Sequence, residues 1–247
     1  MPWYSDWFGK DYLEVYAHRS DALAESEVDF IVHVLGLERA QLLVDIACGA
    51  GRHVRLLSSR GYRAVGADLS LELLLEARRL SLEVNQTVQY LRHDMRRLPF
   101  ADASIDAILS IFTSFGYFET DAEHLGVLSE VHRVLRAGGS FLLDYLNAEH
   151  VLANLEPKSQ RIEGNLHITE LRSYDQQSKR IEKTIVLEEE GRVREYHESV
   201  RVYRFAELRL MLKDSGLEIQ DSFGSFSGAS LNRDSARAII LAAKLDS

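Results

Sequence analysis

Between residues 41 and 147 the sequence switches repeatedly between two hydrophobic periods, and this alternation restricts the fold more than any other feature. Gln41–Ala47, Tyr62–Asp68, Val88–His93, Ile105–Phe112 and Ser140–Leu146 are short apolar runs of strand character. Between them lie helical stretches: Arg52–Arg60 closed by Gly61, Leu71 to Val84 behind a capping Ser70, and Asp121–Arg136, capped by Asp121 and stopped by Gly138-Gly139. Strand and helix alternating at this spacing predict a parallel sheet with helices on both faces.

The flanks read differently. Residues 1–37 are expected to form a helical cap. They begin with Trp3, Tyr4, Trp7, Phe8, Tyr12 and Tyr16 and continue with Val28, Ile31, Val32 and Leu35 at helical spacing up to Gly36. After Asn154 the pattern changes to Leu166–Tyr174, Arg180–Glu190 and Arg192–Arg204, joined by links that suit antiparallel hairpins and are too short for parallel crossovers. This β insert, 160–204, is expected to be separable from the core, with the role of lid or homodimer contact open. A helix at Phe205–Ser215 and strands at Leu217–Phe226 and Arg237–Lys244 then return to the sheet, so that 1–247 reads as a single α/β domain.

Composition enters where it excludes. A net charge of −9 argues against nucleic acid and anionic membrane surfaces as partners. Cys48 is the only cysteine, which rules out an intramolecular disulfide and a zinc–thiolate cluster. The histidines show no H-x-x-x-H spacing, so no metal is expected, and His124 and His132, on one helix face, read as solvated. The first residues lack a secretory pattern, and no apolar run approaches the roughly 18 residues of a membrane span. A cytoplasmic setting is the resulting expectation.

The chemistry gathers at strand ends, where ligands of open α/β sheets bind. Leu43-Val44-Asp45-Ile46-Ala47-Cys48-Gly49-Ala50-Gly51-Arg52 runs from a strand through a turn of small residues into a helix. Small residues let a ligand approach the backbone. The spacing fits a dinucleotide G-x-G-x-x-G loop poorly, because the third position counted from Gly49 is Val54. Asp68 ends the next strand; its carboxylate either accepts from both hydroxyls of a ribose or merely caps the turn before Ser70. Asp94 and Met95 close the third strand, placed to accept from an adenine amino group and to pack on its ring. After the fourth strand, Thr113-Ser114-Phe115-Gly116-Tyr117-Phe118 should line the pocket mouth, with Ser114 lacking the setting of a hydrolase nucleophile.

Taken in order, these segments resemble the class I S-adenosylmethionine-dependent methyltransferase family, in its small-molecule N-methyltransferase-like branch. Val44–Gly51 is similar to the family's first motif, with Ala47 where Gly is commonest. Asp68 matches its ribose-binding acid, His93-Asp94-Met95 its adenine-contacting motif, and Asp106–Phe112 its fourth-strand motif. Glu130–Gly139 resembles the helix and turn before strand five, with Ala137 where the family has Pro. The resemblance covers about residues 40–147 and returns at 205–245. It implies a doubly wound, seven-stranded, mostly parallel sheet with a terminal antiparallel hairpin, and the β insert after strand five. It also implies that Asp45, Ala47, Gly49, Gly51, Asp68, Leu69, Asp94, Met95, Ile111 and Phe112 hold S-adenosylmethionine. Tyr12-x-x-x-Tyr16-x-x-Arg19 resembles the N-terminal helix that closes over the methionine end of that cofactor, which adds Tyr16 and Arg19.

The implied reaction is an in-line methyl transfer to N or O of a small molecule, in which alignment removes much of the barrier. Tyr12, Phe115 and Tyr117 are the residues expected to face the acceptor, and no catalytic residue is assigned. An RNA or protein methyltransferase, and a nicotinamide-dependent oxidoreductase, stay open as alternatives.

Overall fold

The computed structural model describes residues 2–16 and 21–245. The chain opens with α1 (Trp3–Trp7), α2 (Lys10–Val15) and α3 (Asp21–Leu35). The alternating region follows as β1 (Leu42–Asp45), α4 (Arg52–Ser59), β2 (Arg63–Asp68), α5 (Leu71–Glu83), β3 (Gln89–Arg92), β4 (Ile105–Ser110), α6 (Asp121–Val134) and β5 (Leu135–Leu146). α7 (Ala148–Ala153) leads into β6 (Lys158–Glu163), β7 (Leu166–Asp175), β8 (Arg180–Glu189) and β9 (Arg192–Arg201). α8 (Phe205–Asp214), β10 (Leu217–Phe223) and β11 (Arg237–Lys244) complete the chain.

Among the described residues the strands form two sheets. The larger has the order β10-β11-β5-β4-β1-β2-β3. β1 to β5 are mutually parallel, and β11 runs antiparallel to both β5 and β10. Leu43, Val44, Ile108, Leu109, Phe141, Leu142 and Leu143 are all essentially inaccessible, because helices cover both faces of these central strands. The chain leaves β1 toward β2 and β3, then returns to place β4 on the other side. That reversal opens a crevice at the carboxyl ends of β1 and β4.

Local chemistry fixes the helix starts. The Ser70 hydroxyl accepts from Leu73 N at 3.2 Å. At α6 the cap is Thr120 rather than Asp121: Thr120 Oγ1 accepts from Glu123 N, and the Glu123 carboxylate accepts from Thr120 N. Asp121 instead accepts from the Tyr203 hydroxyl at 2.5 Å and pairs with Arg201. His124, expected in solvent, is fully buried. Its Nε2 accepts from Phe118 N at 3.1 Å, which leaves Nδ1–H to face the Tyr203 hydroxyl at 2.8 Å.

The smaller sheet is antiparallel, in the order β6-β7-β8-β9. It holds one strand more than the sequence suggested, since Lys158–Glu163 alternates half-buried and exposed and carries no apolar run. Leu166, Ile168, Ile185 and Leu187 bury one face of this sheet against Trp7 and Val15 of α1 and α2. Arg180 donates to the carbonyls of Gly116, Tyr117 and Phe118, and Tyr145 of β5 donates to Arg201 O. The insert is therefore bonded into the loop after β4 and packed on the N-terminal helices. Among the described residues no helix is long and apolar enough to cross a membrane.

Candidate cofactor and acceptor site

A cavity of about 260 Å³ lies over the carboxyl ends of β1, β2, β3 and β4. One wall is made by the strand ends: Asp45 to Ala50, Asp68 and Leu69, His93 to Met95, and Ile111 with Phe112. The other comes from the N-terminal helices and the loop after β4, through Tyr4, Phe8, Tyr12, Tyr16, Tyr117 and Phe118.

The first wall begins with a sharp turn. Gly49 has φ 54°, a left-handed conformation that favours glycine, and a Cβ there would stand in open space with only Leu73, at 4.0 Å, in contact. The backbone is thus open to approach from the cavity. Gly51 has a different task from the one expected of it and does not line the cavity. Its φ of 72° turns the chain into α4, and a Cβ would meet the Tyr90 hydroxyl at 2.6 Å.

Asp68 does both jobs that its position suggested as alternatives. Its carboxylate accepts from Gly49 N at 2.8 Å and Ser70 N at 2.9 Å, tying the first turn to the start of α5, while the residue lines the cavity. Burial raises its pKa against the effect of those hydrogen bonds. Asp45 is more extreme: burial, reinforced by the neighbouring Asp68 charge, lifts it to about 7. Neither carboxylate is in an ion pair among the described residues. Asp94 also lines the cavity, but Arg96 holds its carboxylate through Nε and Nη2 and keeps its pKa low despite partial burial.

Phe112 and Thr113 follow β4 with φ 60° each, a conformation costly for residues with a Cβ. Asp144, on β5 and wholly buried, holds them there. Its Oδ2 accepts from Phe112 N at 2.8 Å, its backbone carbonyl accepts from Thr113 N at 3.0 Å, and its Oδ1 accepts from Arg237 Nε of β11 at 2.6 Å. His53, on the first turn of α4, packs 5.7 Å from the Phe112 ring and meets Glu27 Oε2 at 2.7 Å.

Of the other residues expected here, Ala47, Leu69, Met95, Ile111, Tyr12, Tyr16 and Tyr117 all line the cavity. Phe115 does not. It is buried against His124, Tyr145 and Tyr203, because alternate residues of the loop after β4 turn into the core. Arg19 lies outside the described residues. Ser114 and Phe118, from the segment expected at the pocket mouth, and His93, from the expected adenine-contacting motif, also line the cavity, whereas Tyr4, Phe8, Arg52, His53 and Arg55 do so without having been singled out as site residues. The aromatic density of residues 3–16 was the signal for Tyr4 and Phe8, whereas nothing local marks Arg52 or His53. Among the described residues no group of His, Cys, Asp and Glu could hold a metal ion.

A sheet of this order, with carboxylates at the ends of its first three parallel strands and a glycine turn after β1, defines a Rossmann-like α/β fold. Residues 43–139 match the family model described as a methyltransferase domain. A glycine/sarcosine N-methyltransferase of Parasynechococcus marenigrum is 28% identical over 60% of this chain and 55% of its own. The chain thus spans little more than half the length of that relative. A cypemycin N-terminal methyltransferase of Streptomyces is 27% identical over 75% of this chain and 76% of its own. Among solved structures, the CcbJ methyltransferase of Streptomyces caelestis superposes with a TM-score of 0.83 over 97% of this chain and 98% of its own. Its identity of 18% makes that likeness one of fold alone. Residues 43–139 thus match a methyltransferase domain, and the relatives and structural neighbours that this chain resembles are methyltransferases, among them ones described as S-adenosylmethionine-dependent.

Proposed function

We propose that the protein transfers a methyl group from S-adenosylmethionine to N or O of a small-molecule acceptor. The observation that carries this reading is the pair Asp45 and Asp68. A buried carboxylate, Asp45, and a half-buried one, Asp68, both with raised pKa values, face one cavity and are in no ion pair among the described residues. A cationic ligand relieves exactly that strain, and a dinucleotide pyrophosphate aggravates it. The cofactor supplies, when bound, a methyl group on a sulfonium centre that departs as a neutral thioether.

The residues have separate tasks. Gly49 leaves backbone open to the ligand, Asp68 offers its remaining lone pairs to ribose hydroxyls, and Leu69 and Met95 flank the base. Asp94, already engaged by Arg96, offers only its free lone pairs to the base. Ile111 and Phe112 close the reactive end, with Asp144 fixing the backbone of Phe112. Tyr12, Tyr16 and Tyr117 exclude water and orient the acceptor, so that alignment carries most of the catalysis.

Thermal unfolding tests the reading. S-adenosylhomocysteine at a hundredfold excess over its Kd stabilises the native state by about 2.7 kcal/mol, roughly 5–11 °C for a chain of this size. NAD at the same concentration is expected to leave the midpoint unchanged, and the reverse result overturns the assignment. Turnover of an RNA or protein acceptor, with none on small amines or hydroxyl compounds, would replace the acceptor half of the proposal.

A further inference from the structure

Helix α5 carries more apolar surface than the sheet beneath it uses. We infer that the protein is a homodimer built about a two-fold axis at the β3 edge of the large sheet, with α5 packed antiparallel on α5 of a second copy. This pairing does not depend on the methyltransferase reading above.

Leu73, Leu74 and Ala77 are buried on the side of α5 that covers β2 and β3. A second row, Leu71, Leu75, Arg78 and Leu82, follows helical spacing on another side. Its three leucines are 48%, 57% and 62% exposed. Single exposed leucines are ordinary, but three in one row along a 13-residue helix make a continuous strip. The intervals in that row are four, three and four residues, which read the same in both directions. About an axis between Leu75 and Arg78, an antiparallel copy therefore sets Leu71 against Leu82 and Leu75 against Arg78, each pair twice.

Charge selects that direction. Arg79 is engaged within the helix by Glu76 and Glu83, whereas Glu72 and Arg78 are in no ion pair among the described residues. Head to tail, Arg78 of each copy reaches Glu72 of the other, and the helix dipoles oppose favourably. In the same direction, Arg78 would face Arg78.

The strand below fits the same axis. β3 is one edge of the large sheet and β10 the other. A register shift between Ile219 and Asp221 blunts the β10 edge, while β3 pairs with β2 without irregularity. A two-fold axis normal to the sheet sets β3 antiparallel beside β3 of the second copy and keeps both α5 helices on one face. α5 is seated over β2 and β3, and the Ser81 hydroxyl meets that of Tyr90 at 2.9 Å. With strands about 4.8 Å apart, the two helix axes then lie about 10 Å apart, the separation of packed helices.

Sedimentation equilibrium of the full chain tests the pairing. Wild type is expected at twice the mass of one chain. Leu82→Glu should raise the dimer dissociation constant by at least about 100-fold, because the axis counts each substitution twice. Its circular dichroism should stay that of wild type, since the side chain is exposed in the single chain. Cysteine pairs read the direction, the native Cys48 being buried. Oxidation should join Leu71→Cys chains to Leu82→Cys chains in a mixture, and neither variant to itself, because equal positions on the antiparallel helices stand about 16 Å apart along the axis. A wild type that stays monomeric at sub-millimolar concentration overturns the inference, whether or not this row holds a different protein. A dimer that survives Leu82→Glu, or that cross-links through equal positions, overturns it as well.

Discussion

The Asp144–Arg237 pair offers the most direct perturbation of the site, because its effect on stability can be worked out without knowing the acceptor. Asp144 has no solvent exposure, and the Arg237 side chain retains 27%. In Asp144→Asn the amide oxygen can satisfy Phe112 N or Arg237, but the amide N–H groups now face a donor. One partner is therefore left unsatisfied in a dry setting. Breaking a buried pair from one side costs about 3–5 kcal/mol, and at about 2–4 °C per kcal/mol the midpoint should fall by roughly 6–20 °C. Phe112 and Thr113, no longer held at positive φ, relax away from the cavity, so the affinity for S-adenosylhomocysteine falls as well. Arg237→Leu, which strands the carboxylate instead, should cost a similar amount. The double variant should cost clearly less than the sum of the two, and a thermodynamic cycle from urea unfolding reads the difference. Additive single effects, or an Asp144→Asn variant with unchanged midpoint and affinity, would refute the view that this pair holds the strained turn.

Two further outcomes are expected. Asp68→Ala should lower the unliganded stability by about 1–3 kcal/mol, through the lost acceptor for Gly49 N and Ser70 N, and should also weaken S-adenosylhomocysteine roughly 10–150-fold; calorimetry beside an unfolding curve checks both, and a change in stability alone would leave Asp68 as a turn cap. His124 should carry a pH dependence: burial lowers its folded pKa to about 4, while the unfolded value is about 6.5. Its contribution is thus complete above pH 6.5 and lost as the pH falls toward 4, about 2 kcal/mol between pH 7 and 5. Asp45 works in the opposite sense, losing stability as pH rises toward 7, so the measurement is the difference between wild type and His124→Gln; parallel stability–pH curves for the two would refute it.

What could be read from the sequence was what is local in the chain. The strand ends at Asp45, Asp68 and Asp94 and the glycine turn between β1 and α4 are set by residues adjacent to one another, and alternating apolar periods announce them. His124 looked exposed because its helix face is amphipathic only in combination with Tyr203, 79 residues away. β6 is polar apart from Ile162 and forms a strand because β7 offers it a ladder. Phe115 and Tyr117 are two residues apart in one aromatic segment, yet one enters the core and the other the cavity. Arg180 settles that, through three backbone carbonyls, from a strand more than sixty residues downstream.

The contact of the small sheet with α1 and α2 sets a rule for exchanging parts between related chains. The strand-end wall of the cavity is built within one contiguous stretch, from β1 to the turn after β4. The aromatic wall is built from two distant stretches that meet only in space, since Trp7 and Val15 pack on Leu166, Ile168, Ile185 and Leu187. Transplanting residues 2–16 alone would set foreign rings on an unmatched platform, and transplanting 158–201 alone would remove the platform from under native rings. The two stretches form one structural cassette, so the aromatic wall is portable only when both are moved together.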